Sequence, residues 1–294
     1  QPVMQEAYRL AYIRKPEFMG NTRTEEKDPK FKVISDLPWC EQEINERLAA
    51  YRQLSDKVEQ EWHALPAQKK ETYFQLVKYP VQAAAQMNNK LLTAQLARHG
   101  KADWADSDRA YDSIVSLTKT YNTTKWNRMM DFQPRRLLVF NRVERKALSS
   151  GLLEKPQAVY TWNGADCVEG ASVICEGLGY EGKAVAVEKK KELTFEFAAW
   201  ETDSVEVEVR LLPNHPVEGE RLRFTISLDG SATEAVSYET KGRSEEWKEN
   251  VLCNQAVRRM ILPVARKASH RLIFTALDEG VVLDQICLYM PRIK

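Results

Sequence analysis

Side chains able to do chemistry are plentiful in this chain but scattered. Cys40, Cys167, Cys175, Cys253 and Cys287 include no Cys-x-x-Cys pair, and His63, His99, His215 and His270 each stand alone. A zinc site draws its ligands from clustered thiolates or imidazoles, so no metal is expected. The odd thiol count leaves at least one cysteine free or paired outside the chain. No nucleophile elbow, His-Glu-x-x-His, phosphate loop or dinucleotide fingerprint occurs, and no cofactor is expected. Carboxylates are numerous enough to be paired for glycoside chemistry. Those on helical patterns, such as Glu41, Glu46 and Glu59, nevertheless sit on polar stripes, and those on strand patterns alternate with apolar residues and so face water. No catalytic residue is nominated.

The aromatic residues offer a different chemistry, stacking against a sugar ring. Phe195 and Phe197 share one face of their strand, so Trp200, at opposite parity, points away from that core if the strand continues unbulged. Trp200 is therefore the candidate sugar-binding residue; an edge ring packed on a loop or a neighbouring domain is the competing assignment. Parity with Val236 puts Tyr238 in the core, and parity with Val251 and Cys253 does the same for Trp247; Tyr160 and Trp162 share a face and stay open. A second group, Trp126, Met129, Met130 and Phe132, falls in a stretch too irregular for a bundle core. These four are candidates for a surface covered by another domain or a partner. The alternative is that they close the end of a bundle.

Two kinds of element must position these residues. Ile44, Leu48, Tyr51, Val58, Trp62 and Leu65 fall on one helical stripe over 40–65, with Asp36 or Ser35 able to cap its start and Pro66 marking its end. A second long helical pattern covers 67–99 (Tyr73, Phe74, Leu76, Val77, Val81, Ala84, Met87, Leu91), and Pro80 inside it predicts a kink or two abutting helices. A third, over 105–121, has Asp106 or Ser107 as its cap. With an opening helix through Tyr8, Leu10, Ala11 and Ile13, these make an antiparallel bundle. From about Ala158 the period falls to two. Val205, Val207, Val209 and Leu211 alternate with charged residues, and Leu222, Phe224, Ile226 and Leu228 run into the turn pair Asp229-Gly230. Further strands are expected over 158–163, 183–187, 192–198, 234–240, 259–264, 270–277 and 281–289, which together describe a jelly-roll-like β-sandwich. The fold class is thus α+β and multidomain: an α-helical bundle over 1–140, a linker over 141–157 and an all-β sandwich over 158–294.

Composition bounds the partners. The chain has 294 residues, 43 Lys+Arg against 42 Asp+Glu, and a formal net charge of +1. That balance gives no electrostatic reason to expect nucleic acid or an anionic membrane. No apolar run approaches the ~18–20 residues of a membrane span. The sequence opens Gln1-Pro2-Val3-Met4 with no basic leader or apolar signal core, which reads as a chain cut from something longer or a mature product whose leader has been removed.

Several stretches carry a resemblance. Arg14-Lys15-Pro16-Glu17-Phe18-Met19-Gly20, the run from Tyr73 to Lys90, and Tyr121-Asn122-Thr123-Thr124-Lys125-Trp126-Asn127-Arg128-Met129-Met130 resemble the helical region of glycoside hydrolase family 115. Gly177-Leu178-Gly179-Tyr180, Leu228-Asp229-Gly230, Glu246-Trp247-Lys248 and His270-Arg271-Leu272 resemble that family's C-terminal domain. The resemblance implies an α-glucuronidase that removes 1,2-linked α-D-glucuronic acid, or its 4-O-methyl form, from xylan with inversion. It also implies a catalytic TIM-type barrel ahead of the bundle and sandwich, and the family's catalytic acids lie in that barrel. The implied role of this chain is non-catalytic: scaffolding the barrel of the same polypeptide, with a homodimer as a further expectation. The alternative is a carbohydrate-binding module that holds a xylan-derived oligosaccharide on the sandwich. A polysaccharide-degrading parent would act in the periplasm or outside the cell.

Overall fold

In the computed structural model, residues 2–23, 27–147, 151–170, 173–238 and 244–291 are described. The chain divides into two compact units, Gln1–Lys155 and Pro156–Lys294.

The first unit is helical. Helix α1 spans Pro2–Ile13, α2 Glu41–Ala64, α3 Ala67–Tyr73, α4 Tyr79–Arg98 and α5 Trp104–Tyr121. Helix α4 packs between α2 and α5, and α1 lies on α2. The disturbance expected at Pro80 takes the form of a π-helical turn over Phe74–Lys78, with the Tyr79 amide donating to the Phe74 carbonyl five residues back. The start of α2 differs from expectation. Cys40 holds the cap position and its amide donates to the Glu43 carboxylate at 2.8 Å. Asp36 instead binds Arg98 and His99, each at 2.6 Å. The cap of α5 is Asp103, whose carboxylate accepts from the Ala105 amide at 2.9 Å, while Ser107 donates to the Lys90 carbonyl at 2.7 Å.

Helix α4 is buried around most of its circumference from Met87 to Arg98, so its polar residues have no water to face. They satisfy irregular backbone instead. Gln95 makes two hydrogen bonds of 3.0 Å with the backbone N–H and C=O of Leu37, as a strand neighbour would. The Lys90 ammonium donates to the carbonyls of Val139 at 2.6 Å and Asn141 at 2.9 Å. Arg47 of α2 bonds Asn88 at 2.7 Å and the carbonyls of Leu10 and Arg14, tying down the end of α1. A buried polar group is costly unless partnered, and here Gln95 and Lys90 supply what loop backbone lacks while Arg47 meets carbonyls at and beyond the end of α1.

The stretch expected as a linker, 141–157, is largely laid along this unit among the described residues. Val143 is buried in its core, Arg142 pairs with Asp108 and Asp112, and Lys155 reaches Glu43 at 3.0 Å. Residues 148–150, with Ser149 and Ser150, lie outside the described residues.

The second unit is two antiparallel sheets packed face to face. One has the order β2-β3-β11-β5-β9 with β1 (Tyr160–Asn163) also paired to β11. Its other strands are β2 Val173–Glu176, β3 Lys183–Ala186, β5 Ser204–Leu211, β9 Ala256–Pro263 and β11 Val282–Tyr289. The other sheet has the order β4-β10-β6-β7 with β8 also on β6: β4 Glu192–Ala198, β6 Leu222–Leu228, β7 Ser231–Ala232, β8 Val236–Tyr238 and β10 Ser269–Ala276. The alternating apolar residues meet between the sheets: Val205, Val207 and Val209 from one, Phe195, Phe224, Leu272 and Phe274 from the other, all essentially inaccessible. Asp229 and Gly230, both at positive φ, close the β6–β7 turn as the sequence predicts.

Strands β2 and β7 carry too few alternating apolar residues to be read from sequence. Residues 245–253 form helix α6 (Glu245–Cys253), capped by Ser244, so Trp247 sits on a helix, half-buried and stacked on His215 at 5.6 Å, and the strand parity used for it does not apply.

Candidate functional site

Trp200 does not offer a ring to solvent. Strand β4 ends at Ala198 and the chain bends, which cancels the parity argument and folds the indole back onto the core. It is 7% exposed, sits edge-on to Phe197 at 5.7 Å, and its Nε1 donates to Thr202 and to the Ser204 carbonyl, both at 2.9 Å. A ring enclosed in this way packs; it cannot serve as a stacking platform. Tyr160 and Trp162 stack on each other at 5.3 Å and lie partly buried against the same core.

The four residues of the irregular stretch part into pairs. Met130 packs against Phe74, Tyr79 and Tyr121, and Phe132 against the cluster around Ile44 and Leu92. These two close the bundle. Trp126, 40% exposed, and Met129, 61% exposed, remain bare, together with Leu138. Their segment is held in place rather than loose. Asn122 brackets it, donating to the Met130 carbonyl at 2.8 Å and accepting from the Met130 amide at 3.2 Å. The Thr124 hydroxyl accepts from the Trp126 amide at 3.2 Å.

A cleft of about 440 Å³ opens beside this segment within the helical unit. Its wall comes from the end of α2 (Glu59, Trp62), from α3 and the π turn (Glu71, Phe74, Lys78), from Gln82 on α4, and from the end of α5 with the following turn (Leu117, Thr120, Thr123, Thr124). The stripe that builds α2 puts Trp62 inward, where it meets Phe74 at 6.0 Å and Tyr73 at 6.4 Å. Lys78 is 4.6 Å from the indole centre and bonds Glu59 at 2.7 Å; Gln82 also donates to Glu59. Partial burial opposes ionisation of Glu59, but the bonds from Lys78 and Gln82 prevail and hold its carboxyl below the usual range. Burial, with the Glu61 carboxylate at the end of its hydroxyl bond, pushes Tyr73 well above an ordinary tyrosine. The sequence signal for this cleft was present in Trp62 and Phe74, but both read as core.

Neither unit supplies a metal centre among the described residues, and all five cysteines are free thiols. Glu208, buried on the outer face of the first sheet, is bonded by Arg210 at 2.7 Å and by Arg259 at 2.6 Å. Burial works against its charge, but the two guanidinium groups outweigh it and keep it ionised.

The described residues thus form a helical bundle and an antiparallel β-sandwich, with Trp126 and Met129 exposed on the bundle. Residues 171–294 match the glycosyl hydrolase family 115 C-terminal domain. The chain is also similar, at 62% identity and a TM-score of 0.95, to a solved structure described as a novel family GH115 4-O-methyl-α-glucuronidase, BtGH115A, with specificity for decorated arabinogalactans. That likeness covers 99% of this chain and 39% of the other, so this chain spans about two fifths of the length of that relative. The chain belongs to glycoside hydrolase family 115, and corresponds to the C-terminal portion of its members. Among more distant structures are the C-terminal family 6 carbohydrate-binding module of LamC, a laminarinase from Zobellia galactanivorans (11% identity, 45% of this chain, 98% of that chain, TM-score 0.35), and a family 6 module of Cellvibrio mixtus lichenase 5A in complex with cellotriose (13%, 46%, 100%, 0.35). A comparison with curated proteins finds no match.

Proposed function

We propose that this chain is the non-catalytic C-terminal portion of an α-glucuronidase that releases 4-O-methylglucuronic acid from a decorated plant polysaccharide, and that its bundle supports the catalytic domain of the same protein. The observation that carries this reading is the 62% identity maintained over 99% of the chain against a relative more than twice as long. Trp126 and Met129 support it: they are large, apolar and exposed, on a segment whose backbone is hydrogen-bonded in place. Decorated arabinogalactan is the favoured polymer, on the specificity described for that relative. The glucuronoxylan expected from the family resemblance is the comparison substrate.

The test has two arms. This chain alone, offered decorated arabinogalactan and glucuronoxylan, is expected to release no uronic acid; release by the isolated chain would overturn the proposal. In the complete enzyme, Trp126→Ser combined with Met129→Ser is expected to lower thermal stability and activity, while the same pair leaves the melting of the isolated chain unchanged. Equal behaviour in both settings would remove the supporting surface. The sandwich-bound sugar reading loses its carrier with the burial of Trp200.

A further inference from the structure

We propose that the cleft in the helical unit binds a neutral sugar, one or two rings of an uncharged oligosaccharide. Its volume of about 440 Å³ falls in the range of small-molecule sites and exceeds what one sugar ring needs. The floor is aromatic and apolar, from Trp62, Phe74 and Leu117, as the C–H face of a pyranose requires.

The rim is rich in hydrogen-bond acceptors, and this follows from bonds already made. The Thr120 hydroxyl donates to the Ser116 carbonyl at 3.0 Å and the Thr123 hydroxyl to the Thr120 carbonyl at 2.7 Å, so each spends its proton on the helix end and keeps lone pairs. Gln82 spends an amide N–H on Glu59, which leaves its carbonyl oxygen as an acceptor. A wall of this kind suits a ligand that brings several O–H donors.

Charge then excludes the alternatives. Glu59 is neutralised by Lys78 at 2.7 Å and Glu71 faces Lys125 at 3.9 Å, while Lys70 against Trp62 is matched in number by Glu61 on the Tyr73 hydroxyl, so three carboxylates and three ammonium groups around the cleft leave no net charge to attract either a uronate or a polyamine. A uronate carboxylate would meet two carboxylates already in place. Two ammonium groups lie against the Trp62 ring, Lys78 at 4.6 Å and Lys70 at 5.3 Å from its centre; Glu59 holds Lys78, so a sugar ring must displace Lys70 to stack. Phe74 and Lys78, at the two ends of the π turn, line the same cleft, and such turns recur at functional sites. This inference stands apart from the supporting role proposed above, because it concerns binding by the isolated chain and no catalysis.

The test is saturation-transfer NMR on the 294-residue chain with galactotriose, arabinotriose, xylotriose and free glucuronic acid, followed by titration of the Trp62 indole resonance. At least one neutral trisaccharide is expected to bind with a millimolar Kd and to shift that resonance, and glucuronic acid is expected to bind at least tenfold more weakly. Trp62→Leu is expected to weaken binding about tenfold or more. Thr123→Val, on an exposed turn, keeps the test decisive if the tryptophan variant fails to fold; a loss of about threefold is expected from it. No neutral trisaccharide binding, binding indifferent to both substitutions, or preference for glucuronic acid would each overturn the proposal.

Discussion

The two units solve the burial of polar backbone in opposite ways. In the sandwich the ladders between strands satisfy the main chain, and the space between the sheets is left to Val, Leu, Ile and Phe side chains. In the helical unit α4 runs through the middle carrying Asn88, Lys90, Thr93, Gln95 and Arg98, all buried, and at least three of them bond segments outside the α-helices and strands. The difference teaches where irregular chain can be afforded. Long stretches around 34–39 and 137–143 hold their course because a helix offers them side chains in place of a neighbouring strand.

The sharpest way to break this contrast is to cut each core by its own logic and follow local stability by hydrogen-exchange mass spectrometry. Phe274, stacked on Phe224 at 5.1 Å, fills the centre of the sandwich. Phe274→Ala is expected to cost about 4 kcal/mol, read in peptides of β6, β10 and β11 and not in those of α4. Arg47→Ala leaves two carbonyls and the Asn88 oxygen without their buried donor. An expected cost of about 3 kcal/mol is read in α1, α2 and α4. If that substitution proved as mild as a surface change, the claim that polar clamps hold the helical unit would fail.

A pH scan sharpens the same comparison, because the two units should respond with opposite sign. Burial lowers Lys90 to about 7, from an ordinary lysine value of 10.5. Between those values the unfolded chain binds the extra proton, so the helical unit gains stability as pH rises from 7 towards 10. A neutral amine has two N–H donors, and two carbonyls await them. In the sandwich, burial raises the Cys287 thiol above its usual 9, so there the unfolded chain ionises first and stability falls as pH rises through 9. Lys90→Gln should flatten the first slope and leave the second; exchange rates corrected for intrinsic pH dependence would show it. The smallest expected effect is at the surface, where Asp103→Ala removes the cap of α5 at a cost of about 1 kcal/mol.

What was legible in the sequence follows from the same contrast. Period-two alternation located β4, β5 and β6 nearly to the residue, because one face of each is apolar throughout; β10 departs from this at His270, and in β11 a bulge between Leu283 and Gln285 switches the inward parity, yet both lie within a residue of the expected spans. The helical stripes located α2 and α5 equally well, but their caps were misplaced. Asp36 has the right chemistry for a cap and is used instead by Arg98 and His99, partners 62 and 63 residues away that no local window contains. Helix α6 was missed because nine residues with four apolar ones, Trp247, Val251, Leu252 and Cys253, fit either period. Trp200 was misdirected by a bend after Ala198 that strand parity cannot anticipate. The cleft was hidden in plain view. Trp62 and Phe74 were correctly placed inward, but nothing local says that the threonines ending α5 stop short of covering them.

The π turn at Phe74–Lys78 has a consequence for how this region tolerates length changes. It holds one residue more than regular winding would, and each residue of an α-helix turns the chain by about 100°. Loss of a single codon there would straighten the winding and rotate Lys70, Glu71 and Tyr73 by that angle relative to α4, carrying them off the cleft while leaving every helix intact. The surplus residue is thus a phase setting, and it makes this helix the place where a one-residue deletion would erase a surface without unfolding a domain.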